Sequence, residues 1–211
     1  VALHVHQDGR VIVRAPLRFS LAHAYTFIRE RWDWLQLQQQ RLSRLAKKEV
    51  FRYEEGALLP HLGQTLSLVI QQGKRSQVEK KENSLWVTVS EWPYQESQLA
   101  ILVQRWQLQQ AKLIFAERLQ QGYDAMASLA LPKPSLKIRK MRSRWGSCSR
   151  QASITLNLEL IKMPLPCIDY VVIHELCHLI EFNHSPAFYA LQSRFMPDWK
   201  ARKQQLEALA R

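Results

Sequence analysis

The sequence predicts an α+β protein, in which a β-rich N-terminal half with one long helix precedes a C-terminal half built around a helix with an H-E-x-x-H motif. Two patterns predict this class: short alternating apolar runs dominate residues 1–95, and longer helical patterns dominate residues 96–211. Of the 211 residues, 46% are hydrophobic and 23% are charged. A chain of this composition and length can bury a sizeable core and is not intrinsically disordered.

The N-terminal half predicts a hairpin, one long helix and a group of strands. Residues 11–14 alternate after an Asp8-Gly9 turn, which is typical of a β-hairpin. Ser20 is a suitable N-cap for a helix that extends to about residue 48. Further strands are expected at 51–53, 65–70, 78–80 and 85–89.

The C-terminal half predicts helices and strands in alternation. A helix from residue 96 to about 128 has an apolar face formed by Leu99, Leu102, Val103, Trp106, Leu113 and Ile114. Strands are expected at 136–143 and 154–157. Prolines open a third helix that runs to about residue 180, Ser185-Pro186 opens a fourth, and Pro197 separates this helix from a terminal one.

The chain is strongly basic, with 30 Lys and Arg against 18 Asp and Glu and a net charge of +12. Such a charge favours anionic partners, namely nucleic acid, nucleotides, phosphates or acidic proteins, although a basic surface can also serve solubility alone. No acidic residue occurs between Asp124 and Glu159, a stretch that contains Lys133, Lys137, Arg139, Lys140, Arg142, Arg144 and Arg150. This stretch is the one local anomaly of charge.

The cellular compartment is predicted from the number and spacing of the cysteines and from the hydropathy of the chain. The three cysteines are odd in number and lack the spacing of a disulfide scaffold, which favours a reducing compartment. No signal segment is visible, and no apolar run reaches the about 18 residues that a membrane-spanning helix needs. We therefore expect a cytoplasmic protein with no membrane partner.

The H-E-x-x-H motif consists of His174, Glu175 and His178. A spacing of four places both imidazoles on one face of a helix, where they can bind a single metal ion. Glu175 can then hold a metal-bound water as general base. The alternative is that both histidines are core residues without a metal.

His184 is the expected third ligand, because the spacing H-E-x-x-H-x5-H matches the metzincin ligand set. The metzincin turn glycine is replaced by Glu181, so the turn is expected to differ in detail. A downstream carboxylate, Asp198 or Glu207, is the less favoured alternative. Three nitrogen ligands with an open fourth position are typical of catalytic zinc, so we expect one Zn²⁺ ion.

Several segments together resemble the YgjP-like metallopeptidase family, which is also described as predicted metal-dependent hydrolases and belongs with the zincin peptidases. They are residues 144–149, 154–157, 168–178, 183–185 and 196–198, with 9–16, Trp34 and 53–56 in the N-terminal half. The resemblance implies a zincin-like fold for residues 96–211, zinc bound by His174, His178 and His184, and a catalytic Glu175. Family members have a glycine where this chain has Gln151-Ala152.

By analogy with other zincins, residues 144–148 form an edge strand above the zinc cleft, where an extended peptide can pair with the main chain. Arg142 and Arg144 alternate on this predicted strand and can both face the cleft, where they would polarise a substrate oxygen. Together with Ser147 they are the candidate substrate-binding residues. Asn157 is a candidate hydrogen-bond partner of a zinc-binding histidine.

Three functions remain open. The first is a zinc-dependent metallopeptidase that uses a zinc-bound water activated by Glu175. Its substrate would be a peptide or protein, and the basic charge of the chain is compatible with an acidic one. The second is a metal-dependent nucleotide pyrophosphatase, which the resemblance and the basic stretch both suggest, although no P-loop is present. The third is a nucleic-acid-associated protein that cleaves bound proteins, which charge alone supports.

Overall fold

The computed structural model describes residues 1–5, 11–16, 18–37 and 51–210. By its internal contacts the chain divides into two units, residues 1–51 and 52–211. The functional boundary expected between residues 95 and 96 stays a prediction. None of the described helices is long and apolar enough to cross a membrane.

The first unit contains a strand pair and a short helix. Strands β1 (Ala2–Val5) and β2 (Val11–Arg14) are antiparallel with Leu3 opposite Val13, whereas the predicted Asp8-Gly9 turn lies outside the described residues. Helix α1 (Leu21–Arg29) begins where the Ser20 hydroxyl accepts a hydrogen bond from the His23 N–H. The prediction of one unbroken helix is wrong at Glu30, the C-cap of α1, although residues 32–37 are helical again. Residues 38–48 lie outside the described part.

A four-stranded sheet opens the second unit. It consists of β3 (Leu58–His61), β4 (Gln64–Gln72), β5 (Gln77–Lys81) and β6 (Ser84–Val89) in the order β3-β4-β6-β5, with β4 parallel to β6. The strands predicted at 65–70, 78–80 and 85–89 are confirmed. The strand predicted at 51–53 is absent, and β3 was not predicted because Pro60 disfavours a strand except at a sheet edge, where β3 lies.

The turn after β3 joins this sheet to the C-terminal helices. Gly63 has a φ of +78°, and a Cβ there would lie 2.6 Å from the Pro164 side chain. The N–H groups of Leu62 and Gly63 donate to the carbonyls of Ile161 and Lys162, at 2.8 and 3.0 Å. The close approach that glycine permits therefore fixes the segment immediately before the helix of the H-E-x-x-H motif.

The long helix α2 (Glu96–Ala125) follows and buries one stripe of side chains. The stripe includes Leu99, Val103, Gln107, Ala111, Phe115 and Leu119, at the spacing of four that one helix face requires. Leu113 was predicted on this face but is 69% exposed, because it lies two residues from Ala111 and thus on the opposite side of the helix.

A three-stranded sheet comes next, with β7 (Ser135–Arg139), β8 (Gly146–Cys148) and β9 (Ser153–Asn157) in the order β7-β9-β8. Strand β9 is parallel to β7 and antiparallel to β8. The strand predicted at 136–143 ends at Arg139, and residues 140–145 form a loop. Strand β8 is an edge strand, as expected.

Three helices complete the unit: α3 (Leu165–Cys177), α4 (Pro186–Phe195) and α5 (Trp199–Leu209). The Ser185 hydroxyl accepts from the Phe188 N–H and caps α4, as predicted. Ile168, Val172 and Leu176 of α3 are at most 1% exposed and join Phe115, Ile154 and Phe188 in the core. Since burying one such side chain contributes about 1.5–3 kcal/mol, this core holds the motif helix rigidly between α2 and β9.

Candidate metal centre

The three predicted histidines lie together. His174 is in the last turn of α3, His178 is its C-cap, and His184 follows in the loop before α4. One ring nitrogen of each lies within 4.8 Å of the others, and Nε2 of His174 is 3.1 Å from Nε2 of His184. Ligands about 2.1 Å from a tetrahedral zinc are roughly 3.4 Å apart, so this cluster fits one such ion.

The other ring nitrogens of the two helix histidines have partners. The His178 Nδ1 lies 2.9 Å from the Glu181 carbonyl, and the His174 Nδ1 lies 3.1 Å from Oε1 of Gln192. Both partners are oxygen acceptors, so each Nδ1 carries the proton and each Nε2 keeps its lone pair for a metal. This donor set fits a zinc ion.

Burial keeps the imidazoles of the two helix histidines, His174 and His178, neutral. It lowers the pKa of His174 to about 4, with the neighbouring His178 adding to the effect. Burial also lowers the pKa of His178. A neutral ring is the form that can donate electrons to a metal, so the site is ready to bind one at neutral pH.

Phe188, fully buried on α4, packs against all three imidazoles. The centre of its ring lies 5.0 Å from that of His174, 4.6 Å from that of His178 and 4.9 Å from that of His184. Because one rigid side chain contacts all three rings, it limits the rotation of each and fixes the position of the cluster.

Glu175 is 4% exposed and points toward strand β8. A Cβ at Gly146 would lie 2.5 Å from Glu175 Oε1, so the absent side chain of Gly146 makes room for the carboxylate. The Glu175 Oε2 has no hydrogen-bond partner within the described residues. Burial raises the pKa of Glu175 to about 8, and the positive charge of Arg144 opposes the rise. A buried carboxyl group without a partner is costly and is typical of a functional site.

A cleft of about 450 Å³ separates β8 from α3 and contains the histidines and Glu175. Its lining includes Arg144, Ser147 and Phe182. Arg142 is exposed but does not line the cleft. The expectation that Arg142 and Arg144 alternate on a strand is wrong, because both lie in the loop of residues 140–145.

Asn157 does not bond a histidine. Its Oδ1 accepts from the N–H groups of Met141 and Glu159, and its Nδ2 donates to the carbonyls of Met141 and Arg144. These four bonds use both amide hydrogens and both oxygen lone pairs. The predicted role is therefore corrected: Asn157 holds the 140–145 loop and, through it, Arg144.

Sequence patterns had not indicated Gln192, Phe188 or Gly146. Phe188 and Gln192 lie four residues apart on α4, so both face α3. Extending the helical periodicity beyond the Ser185 cap would have placed them on one buried face. No local pattern indicates that Gly146 leaves space for Glu175, because the two residues are far apart in the sequence.

The chain matches the model of the YgjP-like, metallopeptidase domain family over residues 1–209. It belongs to this family. The predicted resemblance is thus confirmed, and membership in the YgjP-like family supports a metal-dependent hydrolase that acts on peptides or proteins.

Comparisons with individual proteins add little to the family match. No curated protein matches the chain. Among solved structures, the chain is similar to the metallopeptidase zymogen of Pyrococcus abyssi abylysin, with 20% identity and a TM-score of 0.41 over 44% of this chain and 92% of that one. At this level of similarity the likeness carries no conclusion about the YgjP-like site.

Proposed function

We propose that the chain is a zinc-dependent peptidase in which His174, His178 and His184 hold one zinc ion and Glu175 is the general base. The observation that carries this proposal is the convergence of three imidazoles in an open cleft, beside a buried carboxylate whose Oε2 has no partner among the described residues. All four residues lie between 96 and 211, which we propose as the catalytic part of the chain.

Bound zinc would lower the pKa of a water molecule to about 7 and polarise the scissile carbonyl group. The nearby positive charge of a bound zinc ion would favour the ionised form of Glu175. The carboxylate would then accept the proton of the attacking water at Oε2, which has no partner among the described residues. It would then deliver this proton to the leaving amine. Gly146 allows the carboxylate to remain beside the cleft during both transfers.

Strand β8 would align the substrate. Its outer edge pairs with no other described strand, so its main-chain groups can bind an extended peptide, and Ser147 at its centre lines the cleft. Arg144, held by Asn157 through the loop, is the proposed donor to a substrate oxygen.

A nucleotide pyrophosphatase is the second candidate function, because Arg144 offers a positive charge and the buried Glu175 is the only acidic residue among the described residues that line the cleft. However, the sequence lacks a P-loop, and the described residues that line the cleft include no pair of carboxylates that would hold magnesium.

A side-by-side assay separates the two functions. Zinc-loaded protein is incubated with casein and with nucleoside triphosphates, and a chelator-treated sample reconstituted with zinc is the control. We expect casein cleavage that the chelator abolishes and zinc restores, with no release of pyrophosphate or phosphate. Hydrolysis of triphosphates without peptide cleavage would overturn the proposal.

A further inference from the structure

We propose that the cleft selects peptide segments with acidic side chains on both sides of the scissile bond, an inference that rests on the proposed peptidase function. Its first support is the position of two arginines. Arg144 lies two residues before β8 and lines the cleft. Arg150 follows β8, and its guanidinium carbon lies 5.9 Å from the ring centre of Phe182, which also lines the cleft.

Within the described residues, neither arginine forms an ion pair, and the pair of the basic stretch is that of Lys140 with Glu159. Arg144 does influence the pKa of Glu175. Among the described residues that line the cleft, the only carboxyl group is that of Glu175, which is buried. Two exposed guanidinium groups thus flank a cleft that offers a substrate no exposed negative charge.

Further basic residues lie on the three-stranded sheet to which β8 belongs. Lys137 pairs with Thr155, which pairs in turn with Ser147, so the three side chains form one row across the sheet. Lys137 and Arg139 are both exposed on β7. Because Ser147 lines the cleft, this basic face reaches the strand where the substrate would pair.

The spacing of the two arginines along β8 suits a polypeptide substrate. Strand β8 has three residues, Arg144 lies two positions before it and Arg150 two positions after it. A peptide paired with β8 advances about 3.4 Å per residue, so acidic side chains within about three residues of its centre approach one arginine or the other. A single nucleotide would occupy only one end and would leave the strand edge unused, which favours an acidic peptide.

The test compares two peptides that differ only in having Glu or Gln at the flanking positions. We expect kcat/KM to be about three- to tenfold higher for the Glu peptide at low salt, and the preference to fall as ionic strength rises. Arg144→Gln and Arg150→Gln should each reduce the preference, and Arg150→Glu should reduce it further because one acidic side chain of the peptide is then repelled. The control is Arg105→Glu, because Arg105 is exposed on α2 and outside the cleft lining, so the preference should remain.

The outcomes distinguish this inference from the proposed function. Zinc content equal to that of the wild type shows that each variant is folded. Equal kcat/KM for the Glu and Gln peptides overturns the inference and leaves the peptidase proposal standing. A Glu preference that survives in the Arg144→Gln/Arg150→Gln double variant also overturns it. Failure to cleave any peptide, with hydrolysis of nucleoside triphosphates, overturns the peptidase proposal itself.

Discussion

Gln192 lies fully buried on α4, with its Oε1 3.1 Å from Nδ1 of His174. A carboxamide oxygen can only accept, so it keeps the imidazole proton on Nδ1 and leaves Nε2 available. Its Nε2 has no partner within the described residues, so removing this amide also removes an unsatisfied buried group. We therefore expect Gln192 to orient His174, a proposed metal ligand, more than it stabilises the fold.

Gln192→Leu is expected to weaken zinc binding by about 10- to 100-fold, because His174 loses the acceptor that fixes its ring. Competition with a chromophoric chelator measures the dissociation constant, and urea unfolding of the zinc-free protein checks the fold. Gln192→Glu, which retains an acceptor, is the matched control and should bind zinc at least as tightly as the wild type. Unchanged zinc affinity in the Leu variant contradicts this role.

At the level of elements, the cleft depends on the close approach of β8 to α3. A Cβ at position 146 would lie 2.5 Å from Oε1, 2.8 Å from Cγ and 2.9 Å from Cδ of Glu175. Such distances are too short for any Cβ contact, so the carboxylate must move if this position gains a side chain. Gly146 is thus required for steric reasons.

Gly146→Ala is expected to lower kcat at least tenfold while zinc binding persists, because the added methyl group displaces the proposed base and not the histidines. Steady-state kinetics and metal analysis on the same sample check this. Ser153→Ala on the adjacent β9 is the control, since its hydroxyl is buried without a partner in the described chain and kcat should not change. A Gly146→Ala enzyme with wild-type kcat contradicts the proposed position of the base.

The elements also show what a sequence can and cannot predict. The helices around the metal centre were predicted because prolines and the Ser185 cap mark where they begin. The loop of residues 140–145 was not predicted. Its main-chain groups bond the side chain of Asn157 instead of a neighbouring strand, and Asn157 is distant in the sequence. The grouping of the three histidines was predictable from their spacing. Gln192 and Gly146 act through contacts that only the folded chain creates.

For the stability of the whole molecule, His61 is the informative residue. It is 3% exposed on β3, its ring centre lies 4.8 Å from that of Trp106, and its Nδ1 has no partner within the described residues. Burial, aided by the charge of Lys80, lowers the pKa of His61 from 6.5 to about 4. The unfolded chain therefore binds a proton first as the pH falls, so acid favours unfolding.

We expect the free energy of unfolding to fall between pH 6.5 and pH 4, with a contribution from His61 on the order of 3 kcal/mol. Above pH 6.5 this contribution is fully present, and below pH 4 it is lost. Urea unfolding of the zinc-free wild type and of His61→Leu at several pH values isolates the contribution of His61, since the other titrating groups are common to both proteins. If the difference in free energy of unfolding between the two proteins does not vary with pH, this interpretation of His61 is contradicted.

The central claim is that a zinc site of three histidines works with Glu175 to cleave peptides. Zinc per chain and casein turnover should be measured on the same samples of wild type and Glu175→Gln. We predict about one zinc per chain in both proteins and a loss of turnover of at least 100-fold in the variant, the usual contribution of a general base. Unchanged turnover in zinc-loaded Glu175→Gln would contradict the account.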